Sequence, residues 1–425
     1  MYRSQSRSLC RVVLLGGSAL IFSTGSASAA DDFNTLYKPR PGPYDPLGIP
    51  VGSFYAFPKI EVDAVYDDNV YADATDKRSD ELFVISPRLD VESNWSRHAL
   101  QLSAGGEFGF HSDFTSEDYT DYDVEGRFRG DISYATKILV LLGQSRDHQQ
   151  RGDPEAVSGL TPTKYDTTQA RAQLNQAFGR LQASVGGSFM RRDFHDVEAA
   201  GGGFIDNSDR DGDVVIANAR LAYEFSPGYS AYAEFSYNWR MFDNSIDKFG
   251  IAQDSEGYQA VAGVLFELTD LLEGELYGGY MRQNPDAPAL LAISGPAFGA
   301  SLEWSPSELT MVRLNVERSI QDSFVMVRSS GYFSDRVRLS VSHKLRQNID
   351  VTAYGEIGQD KYTGIDRTDH RYGGGVSVGY NLNRHFTAKL AYSYESRNAD
   401  YLFIQDYSRN DYSRNRVAVA LEARY

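Results

Sequence analysis

The last ten residues, 416–425, read RVAVALEARY. In an extended chain successive side chains point to opposite faces. Val417, Val419, Leu421, Ala423 and Tyr425 therefore share one face, and Arg416, Ala418, Ala420, Glu422 and Arg424 share the other. Such alternation marks a strand between two unlike media. A half-buried strand in a soluble sheet has it, and so does a strand with lipid on one side and a watery lumen on the other. The rest of the chain decides between them.

The pattern recurs. In YSAYAEFSYNWRM (229–241) the aromatic face carries Tyr229, Phe235, Tyr237 and Trp239, opposite Ser230, Tyr232, Glu234 and Arg240. NARLAYEF (218–225) sets Leu221, Tyr223 and Phe225 against Arg220 and Glu224. RVRLSVSHKL (336–345) sets Val337, Leu339 and Val341 against Arg336, Arg338 and Lys344, and HFTAKLAYSYES (385–396) sets Leu390 and Tyr392 against Lys389 and Glu395. A charge in mid-strand is costly if it meets lipid or a dry core. Because every such charge falls on the second face, that face is wet or internally paired.

The connections sort into two kinds that take turns. Short ones lie at 94–97, 134–137, 226–229, 305–308, 346–348 and 383–385. Long polar ones are expected at 67–80, 112–121, 149–163, 193–212, 243–254, 284–294, 321–330, 359–369 and 398–411. Strands run into the short turns through related tripeptides, among them Glu224-Phe225-Ser226, Glu267-Leu268-Thr269, Glu303-Trp304-Ser305 and Asn381-Leu382-Asn383. An aromatic or leucine at that point suits an interfacial girdle. A soluble sandwich has no reason to sort its connections by side. The fold expected is an all-β, antiparallel transmembrane barrel of about eighteen strands, from near Phe54–Tyr66 to Asn415–Tyr425, with short periplasmic turns and long extracellular loops. An even strand count places both termini on the short-turn side.

The other end of the chain reads as an export signal. Arg3, Arg7 and Arg11 precede an apolar run from Val12 to Phe22, and Ala27-Ser28-Ala29 forms a small-residue cleavage site. Residues 1–29 are expected to leave with Cys10, the chain's one cysteine, which makes the mature protein cysteine-free and moves the formal charge from −16 to −19. That acidity argues against a nucleic-acid partner. Residues 30–52 form a Pro-rich periplasmic segment, KPRPGPYDPLGIP at 38–50, whose prolines disfavour a strand. It is read as a tail, a partial plug or a dock for a partner. The barrel occupies 53–425.

A more specific likeness lies over residues 40–110. Tyr44-Asp45-Pro46-Leu47-Gly48-Ile49, Gly52-Ser53-Phe54, Pro58, Tyr66-Asp67-Asp68-Asn69-Val70-Tyr71, Ser86-Pro87 and Trp95-Ser96-Arg97-His98-Ala99-Leu100 together resemble the Gram-negative outer-membrane family known as "putative beta-barrel porin 2". The resemblance implies a route for an exopolysaccharide across the outer membrane and a periplasmic polysaccharide export protein as partner. It implies no catalytic motif. Other expected partners are outer-membrane lipid, lipopolysaccharide and the barrel assembly machinery.

Candidate residues follow from the second face. Arg127, Arg129, Arg220, Glu224, Glu234, Arg240, Arg313, Glu317, Arg336, Arg338, Glu356 and Lys389 are expected to line the pore, with Glu125 and Glu395 beside them. Tyr232 and Tyr354 also point inward in this reading and are candidates for stacking on sugar rings. Val417, Val419, Leu421 and Tyr425 resemble the C-terminal signal by which outer-membrane barrels are recognised for assembly. Other motifs are weaker. His111-Ser112-Asp113 cannot be a triad, since neighbours on a strand point to opposite faces. NSDRDGD (207–213) begins like a calcium loop through Asn207, Asp209 and Asp211, but Asn218 stands where the closing Glu belongs. Arg151-Gly152-Asp153 reads as a coincidence in an outer loop. No enzyme activity, metal or cofactor is expected. The function read from the sequence is an outer-membrane channel for exopolysaccharide export, with a general diffusion porin or a non-conducting surface barrel as alternatives.

Overall fold

In the computed structural model, which describes residues 42–425 apart from 158, 245, 270, 325–328 and 402–410, the alternating C-terminal stretch is the last strand of a closed barrel. The expected signal peptide and residues 30–41 lie outside the described residues.

Eighteen antiparallel strands form the wall: β1 (Phe54–Asp67), β2 (Asp80–Ser93), β3 (Ala99–His111), β4 (Tyr119–Asp131), β5 (Thr136–His148), β6 (Lys164–Phe178), β7 (Leu181–Phe194), β8 (Gly212–Ser226), β9 (Tyr229–Phe242), β10 (Ser255–Thr269), β11 (Leu272–Pro285), β12 (Ile293–Ser307), β13 (Thr310–Gln321), β14 (Gly331–Arg346), β15 (Ile349–Thr363), β16 (Arg367–Asn381), β17 (Phe386–Tyr401) and β18 (Tyr412–Arg424). Each pairs with the next, and β1 closes on β18 from Lys59↔Arg424 to Asp67↔Arg416. Closure removes the sheet edges that an open sheet would expose. Among the described residues no helix is long and apolar enough to cross a membrane; this fold crosses with strands.

The faces divide as the alternation predicts. Val417, Val419, Leu421 and Tyr425 are exposed on the outside, as are Leu221, Tyr223, Phe235, Trp239, Leu339, Leu390 and Tyr392. Their neighbours in sequence turn inward. Phe225, Leu268, Trp304, Leu345 and Leu382 stand exposed at one rim, just before the short turns. That rim has tight corners, two of them made by Gly179 (φ +64°) and Gly228 (φ +78°), where a left-handed conformation lets two residues reverse the chain. The turns at 179–180 and between Thr269 and Leu272 complete the short set; Glu267-Leu268-Thr269 announced the second, and the first was not marked by the sequence pattern.

Two expectations change. The connection expected at 359–369 is only 364–366, because β15 and β16 run on to Thr363 and from Arg367. The polar residues that read as loop are inward ion-pairing groups of the strands: Arg367 holds Asp369 and Arg371 holds Asp360, each at 2.7 Å. The prolines of 38–50 also do not prevent a strand, since Ile49–Val51 pairs with Phe54–Ala56. There it takes up the edge of β1 beyond the end of β18, where Tyr425 N–H donates to Pro58 O. An edge position tolerates Pro50 because its missing N–H is not needed. The segment is tied to the same rim by Arg424 Nη2 to Tyr44 O (3.1 Å) and Arg384 Nη2 to Pro43 O (3.4 Å).

Candidate functional site: the lumen and its inward loop

The connection 149–163 leaves β5 and returns to β6, and its neck is closed by Gln149 N–H donating to Thr163 O at 2.7 Å. Its partners come from around the barrel. Arg151 grips Glu117, with Nε to Oε2 at 2.8 Å. Arg210 Nη1 donates to Gln149 Oε1 at 3.1 Å. Arg397 on β17 donates from Nη1 to Gly152 O at 3.0 Å. Glu155 accepts from Phe324 N–H (2.8 Å), Ser323 Oγ (3.2 Å) and Tyr362 OH (3.5 Å), which belong to the β13–β14 connection and β15. A loop that reaches β15 and β17 from β5 crosses the lumen. Gly152 packs closely there, because a Cβ would run into the hydroxyl end of Tyr412.

The sequence reading placed 149–163 outside and took Arg151-Gly152-Asp153 for coincidence. These residues are instead the tip of the inward fold. A hint was present in Gln149, Glu155 and Thr163, which become buried polar groups, but their partners are more than 100 residues away for Glu155 and were not legible.

All twelve candidate lining residues lie on the inner face, and most are paired. Arg127 meets Glu125 (2.5 Å), Arg129 meets Asp131 (3.3 Å), Arg313 meets Glu303 (3.0 Å) and Arg338 meets Glu356 (3.0 Å). Arg220 sits between Glu234 (3.6 Å) and Glu275 (3.2 Å), and Arg240 reaches Asp322 at 2.5 Å. Glu317 stands opposite Arg336 in the β13–β14 register, while Glu224 faces Ser230 across β8–β9. Lys389 bridges Glu61 and Glu422, each at 2.8 Å. Glu395 is held by Arg414. The two inward tyrosines are less available for sugar than the sequence suggested. Arg220 covers the ring of Tyr232 at 3.5 Å, and Arg338 covers that of Tyr354 at 4.3 Å.

The lumen wall is not polar throughout. Inward residues of β8–β12, including Ala222, Tyr232, Val261, Met281 and Ala297, form a buried apolar cluster with Ile293 and Ile320. The signal was the stretch around Val261 to Leu265, where both faces are apolar. A chamber of about 380 Å³ sits beside the loop tip, between Glu107, Asp121 and Asp147 on β3–β5 and Arg336, Arg338, Arg371 and Arg414 on β14, β16 and β18.

The weaker motifs disperse. His111 N–H donates to Asp118 Oδ1 while Asp113 N–H donates to Asp80, so the His-Ser-Asp run shares no site. In 207–213, Asp209 pairs with Lys248 (3.1 Å), Asp211 accepts Phe194 N–H (2.6 Å) and Asn207 donates to His195 O (3.0 Å). Among the described residues no cluster of three His, Cys, Asp or Glu could hold a metal.

Comparisons with solved structures return three similar chains among others. OccK3 (OpdO) of Pseudomonas aeruginosa aligns at 14% identity over 88% of this chain and 96% of its own, with a TM-score of 0.45. OccK2 (OpdF) of the same organism, solved in complex with glucuronate, gives 12%, 88%, 98% and 0.45. The siderophore receptor PirA from Acinetobacter baumannii gives 7%, 87%, 80% and 0.45. No curated protein matches the chain. The family comparison is decisive, for residues 42–425 match from the first described residue to the last: the chain is a member of the "Putative beta-barrel porin 2" family, an outer-membrane β-barrel of porin type.

Proposed function

We propose that this barrel is a narrow outer-membrane channel for small polar solutes, with the 149–163 loop as its constriction. One observation carries the reading: the loop bridges the lumen from β5 to β15 and β17 while a charged chamber remains open beside its tip. An eighteen-stranded barrel is otherwise wide enough for a broad aqueous pore. In this reading the short-turn rim and both termini face the periplasm, the exposed apolar band meets lipid and lipopolysaccharide, and the C-terminal strand is read by the assembly machinery. Export of an exopolysaccharide, and a periplasmic export protein at the 42–52 segment, rest on the family association. The bridging loop and the arginine-covered tyrosines weigh against a polymer route.

The test is planar-bilayer conductance of the purified chain and of a variant lacking 150–156. A small conductance that widens in the variant supports the channel. No conductance from either would return the weight to a blocked surface barrel. Retention of polymer in the periplasm of a deletion strain, cured by the wild-type gene, would favour export instead.

A further inference from the structure

The two walls of the chamber differ in kind. On one side Glu107, Asp121 and Asp147 converge from three adjacent strands. Their hydrogen-bond partners are Tyr119 OH on Glu107 (2.7 Å), His148 Nδ1 on Asp121 (2.7 Å) and Ser145 Oγ on Asp147 (2.9 Å). Among the described residues no lysine or arginine comes within salt-bridge distance of any of them, and His148 is the one basic side chain on this wall that pairs with a carboxylate, so the wall presents three clustered acceptors. On the other side Arg338, Arg371 and Arg414 hold Glu356, Asp360 and Glu395, but Arg336 has no carboxylate within salt-bridge distance among the described residues. Its Nε finds no acceptor.

Opposite charges facing each other across a space walled by protein set up a field that little water screens. A simple anion gains on the arginine side and loses on the other, and a simple cation does the reverse. A molecule carrying both charges can satisfy both walls at once. The volume, about 380 Å³, lies in the range of small-ligand sites. We propose that this chamber is a binding station for small zwitterions, solutes with an ammonium group and a carboxylate on one molecule. The ammonium lies toward Glu107, Asp121 and Asp147, and the carboxylate toward Arg336. The inference rests on the channel reading and adds the class of solute.

The test uses the full chain in planar bilayers with three probes of similar size: 4-aminobutyrate, butyrate and butylammonium. Wild-type protein is expected to be half-blocked by 4-aminobutyrate at a concentration at least tenfold lower than by either ion. Glu107→Gln with Asp147→Asn is expected to shift the preference to butyrate, and Arg336→Gln to shift it to butylammonium. Equal block by all three probes, or stronger block by one of the single-charge ions, in a protein that conducts would overturn the zwitterion site and leave the channel standing. Absence of conductance would overturn both. The wild-type comparison needs no variant and decides the matter even if a substitution prevents folding.

Discussion

Arg397 on β17 donates its Nη1 proton to the carbonyl of Gly152 at the tip of the 149–163 loop, 3.0 Å away, while its Nε lies 3.3 Å from Asp369. A fully buried guanidinium thus ties the loop to the wall it crosses to reach. A charged hydrogen bond of this kind contributes about 1.5–3 kcal/mol.

Arg397→Met should release the loop tip without emptying the wall, because Asp369 keeps Arg367 at 2.7 Å. The expected result is a severalfold rise in single-channel conductance with larger current noise. An unchanged conductance would mean that the remaining anchors, Glu155, Arg151 on Glu117 and Gln149 on Arg210, set the loop without it.

Lys389 holds Glu61 and Glu422 together across the closing strands, and both carboxylates are only 6% exposed. Lys389→Met leaves two buried carboxylates facing each other with Asp63 near by, Glu61 without a cation among the described residues and Glu422 with only Arg424, 3.2 Å away. Breaking a buried pair costs about 3–5 kcal/mol. Urea unfolding of the lipid-embedded barrel should shift accordingly, and adding Glu61→Gln and Glu422→Gln should recover most of the loss.

Tyr425 packs on His385 with ring centroids 5.3 Å apart, and its N–H bonds Pro58 O at 3.1 Å. Tyr425→Ala keeps the backbone bond and removes the ring contact, a loss of about 1 kcal/mol. If the ring also belongs to an assembly signal, the amount of heat-modifiable barrel in the membrane should fall well beyond that, while barrels that do assemble conduct normally.

In the β1–β2 connection, Asp73 accepts the N–H groups of Asp76 (2.9 Å) and Thr75 (2.8 Å). These bonds hold its carboxyl below the ordinary aspartate range. A depressed folded pKa means that the contribution is complete above the unfolded value and is lost as pH falls through the folded one. Amide exchange at Thr75 and Asp76 should therefore be slower than in Asp73→Ala at pH 6, with the difference vanishing at pH well below 4. A difference independent of pH would rule out the carboxylate as the cause.

What could be read beforehand follows from how far each signal reaches. The lipid-facing set at 417–425, the inward arginines of 336 and 338 and the tripeptides before the short turns depend on a period of two and on neighbours in sequence. They were legible. The strand ends around Asp360 and Asp369 were misread because a polar strand in a wet lumen has the composition of a loop. The cover over Tyr232 and Tyr354 was missed for another reason: which ring face an arginine takes depends on strand register, which alternation leaves open.

The sequence by itself determined a closed antiparallel barrel with one apolar and one polar face, because lipid and water sort side chains residue by residue along each strand. Only the tertiary structure decided that the lumen is uneven: lined by an apolar cluster along β8–β12 and bridged by the 149–163 loop, with a chamber beside its tip. The contacts that do this, Gly152 with Arg397 and Glu155 with Tyr362, join residues some 200 or more positions apart. No local pattern specifies such a meeting; it depends on eighteen strands curving until β5 and β17 face the same space.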